Sequence, residues 1–120
     1  MAFLLLIKER RGDRDQPAAI GRERMSRMVA FGDGLAARGI LVARESLRMD
    51  DDDGARIEVR AGKRMVVDGP FAEAKEIVGG FFYLTCESKA EAVAIASECP
   101  AAEWGTVEVR KIGPCFDAGR

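Results

Sequence analysis

GGFFYLTCESKAEAVAIASECP, residues 79–100, combines a strand and a helix in immediate succession. Its first nine residues are rich in aromatic side chains, and they predict a strand over 79–87. Ser88 and Glu91 have the spacing of a capping box, in which a serine and a glutamate three residues later satisfy the free amides of a helix start. The predicted helix ends before Pro100, because a residue that precedes proline disfavours helical backbone. This stretch is therefore a β-α unit.

The first part of the chain predicts a second unit of the same kind. Residues 2–8 are continuously apolar, as in a central strand that is covered on both faces. Apolar side chains recur at helical spacing over 20–38, where Gly32 lies on the apolar stripe and permits close approach to a sheet. Gly39 closes this helix as its C-terminal cap. A further strand is expected over 40–49.

Between the two units, the sequence predicts a β-hairpin. Residues 56–60 and 63–67 flank Ala61-Gly62, a two-residue turn signal, and residues 105–112 alternate as a last strand. The order is thus β-α-β, hairpin, β-α-β. Two split βαβ units with both helices on one face make a ferredoxin-like α+β sandwich with an inserted hairpin.

The other face of that sheet is predicted to be covered by a partner. The strands over 2–8 and 80–86 are apolar on both faces, although two helices cover only one of them. We therefore expect a second copy of the chain to cover the other face in a homodimer.

Length and charge restrict the class of protein. The 120 residues fit one domain over 1–113 with a tail over 114–120. A net charge of -1 gives no field that would recruit nucleic acid. The apolar start is only about six residues long, far short of a membrane span, and its positive charges follow it, unlike those of a signal peptide. We expect a cytoplasmic protein that binds neither nucleic acid nor membrane.

The chain lacks the usual ligands for metals and the usual neutral-pH base. It contains no histidine, and its three cysteines, Cys86, Cys99 and Cys115, form no C-x-x-C pair. The sequence therefore predicts no metal site and no cofactor, and it indicates three reduced thiols, of which Cys86 and Cys99 serve as packing residues. Met25 and Met28, at helical spacing, are expected in the core. The early arginines are offset by acidic residues and favour a solvated helix face over a phosphate site; they are Arg10, Arg11, Arg14, Arg22, Arg24 and Arg27.

The phrase Asp68-Gly69-Pro70-Phe71 stands between two apolar runs and is the candidate site. Aspartate often accepts a hydrogen bond from the amide two residues later, but that position is Pro70, which has no N–H. The Asp68 carboxylate therefore either caps the amide of Phe71 or faces a cleft. With Lys75 nearby, the charged form is favoured, which suits an anchor better than a proton acceptor.

KRMVVDGPFAEAKEIVGGFFYL, residues 63–84, resembles the YCII-related proteins, in particular the subgroup with an Asp-Gly-Pro-Phe signature. The resemblance extends to FLLLIKE (3–9), LAARGILV (35–42) and PAAEWGTVEVRKI (100–112). It implies a bacterial protein with a dimeric α+β barrel. Relatives have been proposed as enzymes that use a histidine and an aspartate in a cleft, and some are linked to sigma factors of the extracytoplasmic type. This chain has no such histidine, so only Asp68 remains of that pair.

Three functions stay open on this basis. The first is the binding, or the transformation, of a small molecule in a cleft that the hairpin and Phe71 close. The second is a regulatory or adaptor module linked to sigma-factor signalling. The third is a purely structural turn. For the first, Asp68 is the candidate catalytic residue, and the candidate ligand contacts are Gly69, Pro70, Phe71, Lys75, Glu76 and Arg44.

Overall fold

The fold follows from a computed structural model, which describes residues 1–10, 12–48, 54–68, 76–117 and 119. Among these residues, six strands and two helices follow one another. They are β1 (Ala2–Glu9), α1 (Ala18–Ala37), β2 (Leu41–Ser46), β3 (Ala55–Arg60), β4 (Lys63–Asp68), β5 (Ile77–Thr85), α2 (Lys89–Ser97) and β6 (Thr106–Lys111), with a short 3-10 turn at Pro100–Glu103 before β6.

The strands form an antiparallel sheet in the order β2-β5-β1-β6, and β3 pairs with β4 in a separate hairpin. This order places β1 inside the sheet, as its continuous apolar sequence predicts. The predicted succession of elements is confirmed, and the architecture is α+β with two helices and antiparallel sheets, consistent with a ferredoxin-like fold.

The core lies between the helices and one face of the sheet. Alternate residues of β1 point to opposite faces, and Leu5 and Ile7 are buried on the side that α1 and α2 cover. There they share a cluster with Leu84 of β5, Leu35 of α1 and Ile95 of α2. Both helices therefore pack on the same face.

The opposite face, which we call the open face, is apolar and only half-buried. By register, Leu4 lies beside Tyr83 and Leu6 beside Phe81. All four side chains are partly exposed, whereas their neighbours one position along the strands are buried. The sheet thus has a packed face and an apolar open face, which is the pattern that the sequence predicts.

Local signals set the helix ends as predicted. Gly39 has a positive φ of 73°, and the amides of Gly39 and Ile40 donate to the carbonyl oxygens of Ala36 and Leu35 at 2.9 and 3.3 Å. This is a Schellman motif, for which glycine is the favoured residue. At the start of α2, the Ser88 hydroxyl accepts from the amide of Glu91 at 3.1 Å. Both predicted caps are confirmed.

The hairpin turn is also confirmed. Ala61 and Gly62 have φ of 50° and 78°, which are the two left-handed residues of a type I′ turn. The register places Ile57 beside Val66, and these side chains are 64% and 69% exposed. One hairpin face, formed by Ile57, Val59 and Val66, is therefore apolar and exposed.

Two expectations about the helix stripe change. Met28 packs against the core as expected, but Met25 is 64% exposed and was wrongly assigned to the core. The reason is that α1 stands away from the sheet near its first turns, as the cavity described below shows. Gly32 does allow close approach, but what approaches is the Arg44 guanidinium from β2, which lies where a β carbon would be.

Candidate functional site

A cavity of about 610 Å³ lies between α1 and the helix-covered face of the sheet. The helix wall is open at Gly21 of α1, where a β carbon would meet no atom within 4 Å. The floor is apolar, and polar groups lie around it. The floor residues are Ile7, Met28, Phe82 and Ala101, and the basic lining residues are Arg14, Arg24 and Arg44.

One wall of the cavity is a buried ion pair. Glu9 is the fourth inward-facing residue of β1 and is only 7% exposed. Its carboxylate accepts from Nε of Arg14 at 2.7 Å. A buried carboxylate needs such a partner. Without one, the removal of its charge from water destabilises the fold by several kcal/mol, because no cation compensates for the lost hydration.

Arg14 also joins three strand ends. Its guanidinium donates to the carbonyl oxygens of Leu47, just after β2, and Gly79 in β5, at 2.9 and 3.0 Å. A β carbon at Gly79 would lie 2.6 Å from Nη2 of Arg14, so glycine makes room for the guanidinium. At Gly80 a β carbon would lie 2.8 Å from the backbone oxygen of Glu45. The pair Gly79-Gly80 thus has a specific packing reason at each position.

Arg44 extends from β2 onto α1. Its Nη2 donates to Asp33 at 2.6 Å, and its Nη1 donates to the carbonyl oxygen of Val29 at 3.2 Å. Arg44 therefore lines the cavity as one half of an ion pair that ties the sheet edge to the helix.

Arg24 and Arg27 lie against Trp104. The guanidinium carbons of Arg24 and Arg27 are 4.8 and 5.6 Å from the centroid of its ring, within the range of a cation–π contact. Arg27 also pairs with Glu103, and this contact lowers the pKa of Glu103. Nη1 of Arg24 donates to the carbonyl oxygen of Asp13 at 3.2 Å.

Cys86 and Cys99 are packing residues, as the sequence predicts, whereas Cys115 is exposed. Cys86 and Cys99 are 7% and 3% exposed, and burial raises the pKa of each thiol. A thiol of this kind stays protonated and is a poor nucleophile. In the ranges that the structure covers, no three metal-ligating side chains converge, and no helix is long and apolar enough to span a membrane.

The site residues expected from the sequence are only partly visible. Asp68 ends β4, opposite Ala55. Its side chain lies outside the described part of the chain, as do the other members of the phrase, Gly69, Pro70 and Phe71, and also Lys75. Their assignment to a cleft stays a prediction.

The two described candidates line different cavities. Arg44 lines the cavity under α1, whereas Glu76 is exposed and lines a second space of about 470 Å³ beside Lys8 and Glu103. The sequence alone predicts that both residues share one cleft with Asp68.

Sequence reasoning missed the residues that form the cavity walls. By sequence, Glu9 counts only among the acidic residues that offset the early arginines, although the alternation of β1 places it on the same face as Leu5 and Ile7. Arg14 and Arg24 were assigned to a solvated face. For these two arginines the sequence carries no comparable signal, because Gly79 and Trp104, which they contact in the cavity, lie 65 and 80 residues away.

Comparison with known proteins places the chain in a family. A family model described as the YCII-related domain matches residues 1–115. An uncharacterized protein of Rhizobium meliloti (strain 1021) is 40% identical over 60 residues. The match covers 48% of this chain and 48% of that relative, so it spans about half the length of each.

A solved structure shows the same fold. It is the 5-chloro-2-hydroxyhydroquinone dehydrochlorinase of Burkholderia phenoliruptrix AC1100, in complex with 2,5-dihydroxybenzoquinone. The two folds superpose with a TM-score of 0.56 over 94% of each chain. At 16% sequence identity, this likeness shows the fold alone.

Proposed function

The chain belongs to the YCII-related family, and we propose that it binds a small organic molecule in the cavity between α1 and the sheet. The cavity itself carries this proposal. Its volume of about 610 Å³ falls within the roughly 300–1,000 Å³ of typical ligand sites, and an apolar floor with a few polar groups is their usual lining.

The structural neighbour supports this function. It holds a small ring compound on the same fold, so the fold is able to accommodate a ligand of that size. Binding is better supported than catalysis in this chain. It has no histidine, and the buried carboxylate of the cavity, Glu9, already accepts from Arg14.

We assign Asp68 a contact with the same ligand, as an anchor at the end of β4. This part of the proposal rests on the sequence, in which Pro70 denies the carboxylate its usual local hydrogen bond. A capping role at Phe71 is the alternative, and it would affect stability instead of binding.

We further propose that the protein is a homodimer whose seam is the open face. Leu4, Leu6, Phe81 and Tyr83 form an apolar surface on the sheet that neither helix covers. Burial of such a surface against its own copy is the simplest way to remove it from water.

The fluorescence of Trp104 reports ligand binding, because Trp104 is the only tryptophan of the chain and lines the cavity. We expect its fluorescence to change in a saturable manner when a cavity ligand is added. The probes are three pairs, each an acid with its neutral amide: benzoate with benzamide, phenylacetate with phenylacetamide, and cyclohexanecarboxylate with cyclohexanecarboxamide. Failure of all six to bind at millimolar concentration contradicts the proposed function.

The role of Asp68 is tested on the three amide probes, whose N–H groups donate to a carboxylate, whereas the ionised acids have no donor. If Asp68 anchors the ligand, Asp68→Asn keeps the melting temperature and weakens binding. If it caps a turn, the variant melts earlier and binds normally. Glu58→Gln, on the same hairpin, is the matched control because Glu58 pairs with Arg60 away from the cavity lining.

A regulatory module is the second candidate, and the hairpin face favours it. Ile57, Val59 and Val66 expose a continuous apolar surface that a protein partner is able to cover. If this hairpin face binds another protein, it stays exposed to solvent in the isolated homodimer. If the hairpin instead takes part in dimerisation, the homodimer buries the face. Hydrogen exchange of β3 and β4, compared between dimer and monomer, distinguishes the two.

A further inference from the structure

We propose that the ligand of the cavity is a small organic acid with a flat apolar body, and that Arg24 binds its carboxylate. The inference rests on the proposed function, since it assigns the chemical class of the ligand for the same site.

The arginines of the cavity differ in what they already bind. Arg14 is neutralised by Glu9, and Arg44 by Asp33. Arg24 has no carboxylate partner among the described residues; it donates one hydrogen bond to a carbonyl oxygen and lies over Trp104. A guanidinium has five N–H donors, so most of those on Arg24 remain available to a ligand.

The carboxylates around the cavity either accept a hydrogen bond from the protein already or belong to a side chain on the other face of the sheet. Glu9 accepts from Arg14, and Asp13 accepts from the amide of Arg10 at 2.7 Å. Glu45 is also a lining residue, but it pairs with Phe81, one position from the pair of Arg44 with Phe82, so its side chain leaves the opposite face of β2 from that of Arg44. Among the three arginines that line the cavity, Arg24 is therefore the one without a carboxylate partner among the described residues, and a ligand carboxylate is able to pair with it.

Arg24 is held in place before any ligand arrives. The ring of Trp104 lies against one side of its guanidinium, and the carbonyl oxygen of Asp13 holds Nη1. Trp104 packs on the core directly after the 3-10 turn at Pro100–Glu103, so its ring is a fixed support. Trp104 is thus a positioning residue, and preorganisation of this kind lowers the entropic cost of binding an anion.

The rest of the ligand is specified by the floor. Ile7, Phe82 and Ala101 are buried residues whose side chains offer no hydrogen-bond donor or acceptor. Phe82 is fixed by an edge-to-face contact with Phe31, with ring centroids 5.2 Å apart. Such a floor favours a flat apolar body, and a carboxylate at one end satisfies Arg24 by a charge-assisted pair.

The test measures the dissociation constant of each acid and of its amide by ligand-observed NMR. It does so for the wild type and for Arg24→Gln. We expect at least one acid to bind wild type about 10-fold or more tightly than its amide, and Arg24→Gln to remove this preference. Arg22→Gln is the matched control, because Arg22 is exposed on the same helix and does not line the cavity.

Each result has a defined meaning. If acids and amides bind wild type equally, the anion assignment is overturned while the cavity remains a binding site. If Arg22→Gln weakens the binding of the acids as much as Arg24→Gln does, the preference for acids comes from the overall charge of the protein. The role of Arg24 is then overturned. If no probe binds, the proposed function fails as well. The wild-type comparison holds even if a variant folds poorly.

Discussion

Replacement of Arg14 by methionine is expected to lower the free energy of unfolding by about 2–3 kcal/mol. The methionine fills similar space but leaves the Glu9 carboxylate, whose side chain is 8% exposed, without its partner. It also frees the carbonyl oxygens of Leu47 and Gly79. The effect falls below that of a fully buried pair, because the Arg14 side chain is 40% exposed.

Urea unfolding measures this effect, with Arg110→Met as the control. Arg110 pairs with Glu108 at 3.4 Å on the surface, and loss of such a pair costs about 0–1 kcal/mol. The double variant Glu9→Gln with Arg14→Met should regain part of the loss, because a neutral amide replaces the stranded charge. Equal losses for Arg14→Met and Arg110→Met would show that the ion pair does not hold the strand ends together.

Leu6→Glu is expected to convert the proposed homodimer into a monomer and to weaken association about 100-fold or more. Leu6 lies in β1, within the sheet, beside Phe81 on the open face. A glutamate there puts an unpaired carboxylate into the proposed seam from each copy. In the monomer the same side chain reaches water, so the fold is retained.

Light scattering at micromolar concentration distinguishes the two states. Wild type should give about twice the chain mass of 13.1 kDa, and Leu6→Glu the single mass. Val93→Glu is the matched control, because Val93 is an apolar residue of α2 that is 42% exposed and lies away from the open face. A wild-type mass of about 13 kDa would contradict the dimer.

The elements of this fold were predictable because their signals are local. Ser88 and Glu91 are three residues apart, Gly39 follows its helix directly, and Ala61-Gly62 is a two-residue turn. In each case the residues that decide the backbone conformation are neighbours in the chain, so spacing alone identifies them.

The cavity was not predictable in this way. Arg14 lies 65 residues from Gly79, and Arg24 lies 80 residues from Trp104, so only the folded chain brings them together. Glu9 is the exception, since strict alternation in β1 marks it as inward-facing. The Asp68 phrase is distinctive in sequence, yet the best-defined cavity of the described residues is formed by others.

The central claim, that the cavity under α1 holds the ligand, is tested most directly by filling it. Gly21 lines the cavity, and Gly34 lies on the same helix outside it; a β carbon at either position meets no atom within 4 Å. Leucine is a better helix former than glycine, so Gly21→Leu and Gly34→Leu should both fold.

The measurement is the titration of Trp104 fluorescence with the six probes in these two variants. We predict that Gly21→Leu loses the binding seen in wild type, because its side chain occupies the cavity, and that Gly34→Leu binds as wild type does. Unchanged binding by Gly21→Leu would show that the ligand lies elsewhere.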